Sequence, residues 1–184
     1  MNQHAQGEVA IAELTWTEAS SIRLLYKYTS LHYYDVSIVR EPDGWKTELT
    51  LKPREGPVEK VSESRFFEEF VEEPRAFAAT LSGEQVGWLE VGYHKWNNRM
   101  RVWEILVKDG FRRRGIGTAL MNHAIKLAKE KGARALVLET QTCNAPAIDF
   151  YLKHGFELVG FDATAYTNQD VDRREVRLEL GLRL

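Results

Sequence analysis

The 184-residue chain has a single cysteine, Cys143. That excludes an internal disulfide framework and a cysteine-based zinc site. Basic residues are not in excess either. The formal net charge is −2 at pH 7, so the broad positive field that nucleic-acid binding exploits is missing. No apolar run approaches the roughly 18 residues of a membrane span. Met1-Asn2-Gln3-His4 lacks the basic start and apolar stretch of a secretory signal. The five histidines show no metal-ligand spacing, and no metal is expected. Repeats and low-complexity tracts are absent. With 43% hydrophobic and 28% charged residues, the composition is that of a cytoplasmic globular protein, residues 1–184 forming one domain.

Charge is unevenly spread. Lys108–Arg134 carries eight bases against two acids, whereas Asp35–Arg75 carries eleven acids against seven bases. A cationic stretch and an acidic one suit one anionic and one cationic ligand, although two solvated faces give the same pattern.

Turn residues divide the chain into elements. Glu41-Pro42-Asp43-Gly44 joins two strand-like runs, Tyr34–Arg40 and Trp45–Leu51, as a hairpin. Lys52–Pro57 reads as a stiff loop before a helix-like Ser62–Val71, and Thr17–Tyr28 as a helix capped by Thr17. Arg75–Leu81 and Gln85–Tyr93 form a second hairpin, and after the polar loop His94–Arg99 the run Arg101–Val107 is a strand. Ile116, Leu120, Ala124, Leu127 and Ala128 then recur at steps of three and four, an amphipathic helix that Gly132 ends. Ala135–Leu138 is a short strand. Asn144 caps a further helix that tolerates Pro146 in its first turn and closes at His154-Gly155. Phe156–Phe161 and Val171–Leu180 are the last strands. Strands, helix, strand, helix, strands make a mixed α/β sheet, parallel where helices cross over.

The sharpest feature is Val107-Lys108-Asp109-Gly110-Phe111-Arg112-Arg113-Arg114-Gly115-Ile116-Gly117, placed where the long helix begins. Gly115 and Gly117 let the backbone turn tightly beside a large anion. The helix start supplies unpaired N–H groups and positive potential, and the three arginines add charge-assisted donors. The chemistry is capture of a pyrophosphate. A Walker A loop is excluded, since no Gly-Lys-Ser/Thr follows. A dinucleotide fingerprint has Leu120 where its third glycine belongs, yet Glu139 stands where its ribose-binding acid would, so that alternative stays open. So does a glycine-lightened helix start with solvated arginines.

Arg112-x-x-Gly115-x-Gly117 after a strand, followed by Asn144-x-x-Ala147 and by Phe150-Tyr151 before His154-Gly155-Phe156, resembles the GNAT N-acetyltransferase family over roughly residues 75–180. Within it, Leu138-Glu139-Thr140-Gln141, Gly160-Phe161-Asp162 and Trp96-Asn97 resemble the streptothricin acetyltransferases. The resemblance implies a mostly antiparallel sheet with a splayed parallel central pair and flanking helices. Residues 75–180 would form the acetyl-CoA-binding core and residues 1–74 the variable acceptor side. Acetyl-CoA would be the cosubstrate, its pyrophosphate on Arg112, Arg113, Arg114, Gly115, Ile116, Gly117 and Thr118. Its pantetheine would lie on the backbone of Leu106 and Val107, and Asn144 would hold the arm.

Tyr151 matches the family's tyrosine that protonates the departing thiolate; packing in a core is its plainer role. An alkylammonium with a pKa near 10.4 must lose a proton before it attacks, which calls for a base. Glu104 is the first choice, and Glu90 on the preceding strand the second. Asp35 with Tyr33, Tyr34 and Trp96, together with Asp162, would receive a cationic acceptor through carboxylates and ring faces. The activity implied is direct acetyl transfer to a primary amine of a small cationic molecule such as a streptothricin. A protein N-terminus, protein lysine or polyamine as acceptor, and an acyl-CoA sensor without turnover, share the same cofactor features. A small-molecule amine is the expected partner, with no nucleic acid and no membrane, for a monomer or homodimer.

Overall fold

Two-residue turns with positive φ decide much of the topology. In the computed structural model, which describes residues 8–184, Ser82 (φ 52) and Gly83 (φ 85) both take the left-handed conformation that a type I′ hairpin turn requires. They join β4 (Arg75–Leu81) to β5 (Glu84–His94), following β1 (Ala10–Glu13), α1 (Trp16–Ser20), β2 (Arg23–Glu41) and β3 (Gly44–Arg65). After a single 3-10 turn at Lys95–Asn97 come β6 (Arg99–Val107), α2 (Ile116–Glu130), β7 (Ala135–Gln141), α3 (Ala145–Lys153), β8 (Glu157–Asp162), α4 (Asp170–Arg173) and β9 (Arg177–Arg183). The reading of Met1–His4 lies outside the described residues.

The chain forms two compact units. The first holds the described residues up to Tyr26, Ser62–Leu136 and Leu184. Its strands run in the order β1-β4-β5-β6 with antiparallel registers, and β7, which begins here with Ala135 and Leu136, follows β6 as the one parallel partner. Helix α2 buries Ile116, Leu120, Met121, Ala124, Leu127 and Ala128. Its packing on β5 is close. A Cβ at Gly87 would lie 3.0 Å from Ile116 Cγ2 and 3.1 Å from Leu120 Cδ1. A second cluster gathers Ala19, Leu24, Phe66, Ala76 and Leu106.

The second unit holds Lys27–Val61 and Val137–Arg183. It contains the rest of β7, then β9 and β8, the last two antiparallel, and a core of Val36, Ile148, Val176 and Leu178. Tyr34 N–H donates to Thr142 O at 2.9 Å, fastening β2 beside the β7–α3 turn. The expected mixed, mostly antiparallel sheet with one parallel pair and flanking helices is the observed fold. No helix among the described residues is long and apolar enough to cross a membrane.

Four local expectations are corrected. Thr17–Tyr28 is not one helix. Thr15 caps the five-residue α1 through a capping box with Glu18, and from Arg23 an alternating run of large side chains continues as β2. Lys52–Pro57 is not a loop but part of β3. In a two-stranded ribbon each strand keeps an open edge, where Pro53 and Pro57 cost no ladder bond. Ser62–Val71 is not helical, because β3 runs to Arg65 and Phe67 then takes φ 62, which no right-handed helix accommodates. Val171–Leu180 is not one strand. The Asp170 carboxylate accepts from Tyr166 and Thr167 N–H at 2.9 and 2.8 Å and organises α4, so that β9 begins only at Arg177.

Candidate active site

At the end of β6 the backbone makes a short series of turns. Lys108 N–H still donates to Val86 O at 2.8 Å, and Phe111 N–H then closes a turn on Lys108 O at 3.1 Å. Positive φ recurs at Gly110 (84), Arg113 (63) and Gly115 (82). Gly115 is the N-cap of α2 and offers no side-chain acceptor. The first helical bond is Ala119 N–H to Gly115 O, so Ile116, Gly117 and Thr118 direct their amides out of the helix start. Nothing lies within 4 Å of where a Gly115 Cβ would sit. Open amides beside left-handed residues are the backbone arrangement that suits an anion. Of the neighbouring cations, Arg112 pairs with Asp109 at 3.1 Å and Arg114 lies over the Phe111 ring at 5.2 Å.

On the same strand, β6 carries a bulge. The pairing runs from Glu90 with Glu104 to Val91 with Val102, which leaves Trp103 as the extra residue. Glu90 and Glu104 are direct cross-strand partners and leave the sheet on one face. Glu104 Oε2 accepts from Tyr26 Oη and Oε1 from Ser64 Oγ, both at 2.5 Å. Burial pushes its carboxyl above the ordinary range, while the two hydroxyls pull it back. Glu90 is 1% exposed and accepts a single N–H, from Phe67 at 2.9 Å. Burial first, then the Glu104 and Glu68 charges, raise its pKa to about 7. The first unit therefore brings together the loop residues Arg112–Thr118, the strand residues Leu106 and Val107, and the carboxylates Glu90 and Glu104 on adjoining stretches of β5, β6 and α2. Trp96, in the 3-10 turn, stands 78% exposed.

The second unit holds the rest. Asn144 caps α3, its Oδ1 accepting from Ala147 N–H at 3.3 Å. Tyr151 lies two turns along the same helix, buried, in ring contact with Phe150 and Phe156. Cys143 is buried as expected of a small filler, with its sulfur 3.2 Å from Tyr28 Oη. Burial raises its pKa. Asp35 is paired with Lys52. The Tyr33 ring faces the guanidiniums of Arg54 at 5.1 Å and Arg174 at 4.3 Å. Asp162 closes a turn by accepting from Thr164 N–H and Oγ1 at 2.9 and 3.1 Å. Glu139 is engaged by Arg177 at 3.1 Å and by Tyr166 Oη at 2.6 Å.

Sequence reasoning missed Tyr26 and Ser64. The usable signal was the alternation Leu24, Tyr26, Tyr28, Ser30, which marks a strand with one inward face. Among the described residues no group of three or more His, Cys, Asp or Glu side chains is arranged to hold a metal ion.

The family model described as the acetyltransferase (GNAT) family matches residues 43–156. A streptothricin acetyltransferase of Streptomyces lavendulae is 42% identical over 93 residues, which is 50% of this chain and 49% of that protein. The chain thus matches about half the length of this curated relative. Among solved structures, a nourseothricin acetyltransferase superposes with a TM-score of 0.75 at 30% identity, covering 95% of this chain and 98% of that one. A structure described as a candidate streptothricin acetyltransferase from Bacillus anthracis str. Ames, in complex with acetyl coenzyme A, shares the fold. Its TM-score is 0.74 at 23% identity, over 97% of this chain and 99% of that one.

Proposed function

Because the chain belongs to the acetyltransferase (GNAT) family, we propose that it works as one N-acetyltransferase domain, moving acetyl from acetyl-CoA to a primary amine of a small cationic acceptor of the streptothricin class. The observation that carries this reading is the uncapped start of α2. Three consecutive amides, a positive-φ approach and adjacent arginines fit a diphosphate in size, charge and donor type. The likeness to streptothricin and nourseothricin acetyltransferases supports the acceptor class.

Acetyl-CoA, when bound, supplies an acetyl group already activated as a thioester. The chain's own part begins with Ile116, Gly117 and Thr118 N–H and the Arg112–Arg114 side chains, which hold the diphosphate. By the family resemblance, the backbone of Leu106 and Val107 in the first unit and the Asn144 side chain in the second are each assigned to the pantetheine arm. Glu104 takes a proton from the acceptor ammonium, directly or through one water, so that the nitrogen lone pair becomes available. As the nitrogen bonds to the acetyl carbon and the C–S bond breaks, Tyr151 Oη gives a proton to the departing sulfur, a match of two groups of similar basicity. The second proton shed by the nitrogen restores the phenol. The positioning of amine against thioester accounts for much of the acceleration. Trp96 offers its exposed ring to the acceptor. Asp35, Tyr33 and Asp162 are engaged by Lys52, by Arg54 and Arg174, and by Thr164, and an acceptor that uses them displaces those partners.

The test is release of free thiol from acetyl-CoA in the presence of streptothricins, aminoglycosides, polyamines or peptides. Streptothricin is expected to give turnover. Binding of acetyl-CoA with no thiol released from any amine would make the chain a sensor. Tyr151→Phe is expected to lower kcat about 10- to 100-fold with little change in acetyl-CoA affinity, and Glu104→Gln to remove the rise of rate with pH.

A further inference from the structure

The surroundings of Glu90 and Glu104 differ although the two residues face each other across β5 and β6. Two carboxylates confined to one partly dry site do not both ionise cheaply, so the donors around each decide which loses its proton first. Glu104 receives two hydroxyls, one on each oxygen, from the two strands of the ribbon: Tyr26 on β2 and Ser64 on β3. Glu90 receives one backbone N–H, from Phe67. The other charge nearby, Glu68, is held by Arg65 through two contacts of 2.9 and 3.2 Å. A carboxylate fixed at both oxygens cannot turn about its terminal torsion, so its remaining lone pairs keep one direction. Two neutral O–H donors also favour the ionised form over the acid.

From this geometry, and resting on the reading of Glu104 as the base, we propose that Tyr26 and Ser64 are positioning residues. They lock the Glu104 carboxylate in one orientation and make it, rather than Glu90, the member of the pair that stands ready to accept a proton. Glu90 keeps its own proton and so spares the site a second negative charge. Tyr26 lies before the segment matched by the family model, and Ser64 lies inside it.

Carbon-detected NMR of the ligand-free protein labelled with ¹³C-glutamate reads both carboxyls directly, with Glu90→Gln and Glu104→Gln giving the assignments. The expected order is Glu104 titrating below Glu90. Tyr26→Phe and Ser64→Ala should each raise the Glu104 midpoint by about one pH unit and shift the acid limb of the kcat profile to higher pH by a similar amount. Near the bottom of that limb the rate should fall roughly tenfold. Ser64→Thr, which keeps the hydroxyl, should restore the wild-type midpoint. If Glu104 titrates above Glu90 in the wild-type protein, or if neither hydroxyl variant moves its midpoint, the proposal is overturned. Wild-type turnover in Glu104→Gln would instead remove Glu104 as the base, a separate failure that leaves the NMR midpoints readable.

Discussion

Glu90 is a carboxyl group that the folded chain keeps almost wholly out of water. Its pKa rises to about 7 from an ordinary 4.5 because burial penalises the charge and Glu104 repels it. The folded state thus binds this proton more tightly than the unfolded chain does. The resulting stability is fully present below about pH 4.5 and is lost progressively as pH climbs through about 7. Denaturant unfolding at stepped pH should show that decline in the wild type and a flatter curve in Glu90→Gln. Side chains whose partners lie far along the chain are the ones a sequence hides. Tyr33, Asp35 and Asp162 are types that greet cations or polar ligands, but their partners are already in the chain. Arg174, which covers the Tyr33 ring, lies far along the sequence, and no local pattern announces it.

At the level of elements, the helix α2, the β4–β5 hairpin and the Asn144 cap were legible because each rests on local physics: a 3.6-residue period, a two-residue turn and a side-chain acceptor. The β2–β3 ribbon was only half legible, since its prolines signal a break unless the strand's open edge is known. The bulge at Trp103 left no local trace at all, because it is a property of how β6 registers on β5. Gly92 shows the consequence of that register. A Cβ there would meet Glu72 O and Trp103 Nε1, each at 2.8 Å. Gly92→Ala is therefore expected to cost about 1–3 kcal/mol in urea unfolding and to disturb Glu104 through the bulge, lowering kcat as well. Gly115→Ala is the contrasting case. Nothing crowds that Cβ, so the cost is the left-handed backbone alone, about 1–2 kcal/mol. A shift of the loop toward right-handed φ should raise the acetyl-CoA KM with little change in kcat.

Over the whole molecule, the bases of Lys108–Arg134 are counterbalanced by acids elsewhere, giving a net charge of −2. Attraction of an anionic cosubstrate then depends on a local field, which salt screens over about 10 Å at 0.1 M. Raising NaCl from 0.05 to 0.5 M should lower kcat/KM for acetyl-CoA several-fold, whereas a neutral thioester analogue lacking the nucleotide should show a much weaker dependence. The path of the chain has an effect of its own. It passes between the two units at Tyr26/Lys27, Val61/Ser62, Leu136/Val137 and Arg183/Leu184, so neither unit is one continuous stretch. Val36 leaves the ribosome long before Ile148 and Val176, the residues it packs against. At about 5–20 residues per second, a nascent ribbon waits on the order of ten to thirty seconds with its apolar side uncovered. For that interval the uncovered side is open to aggregation, a hazard that the stability of the finished fold does nothing to lessen.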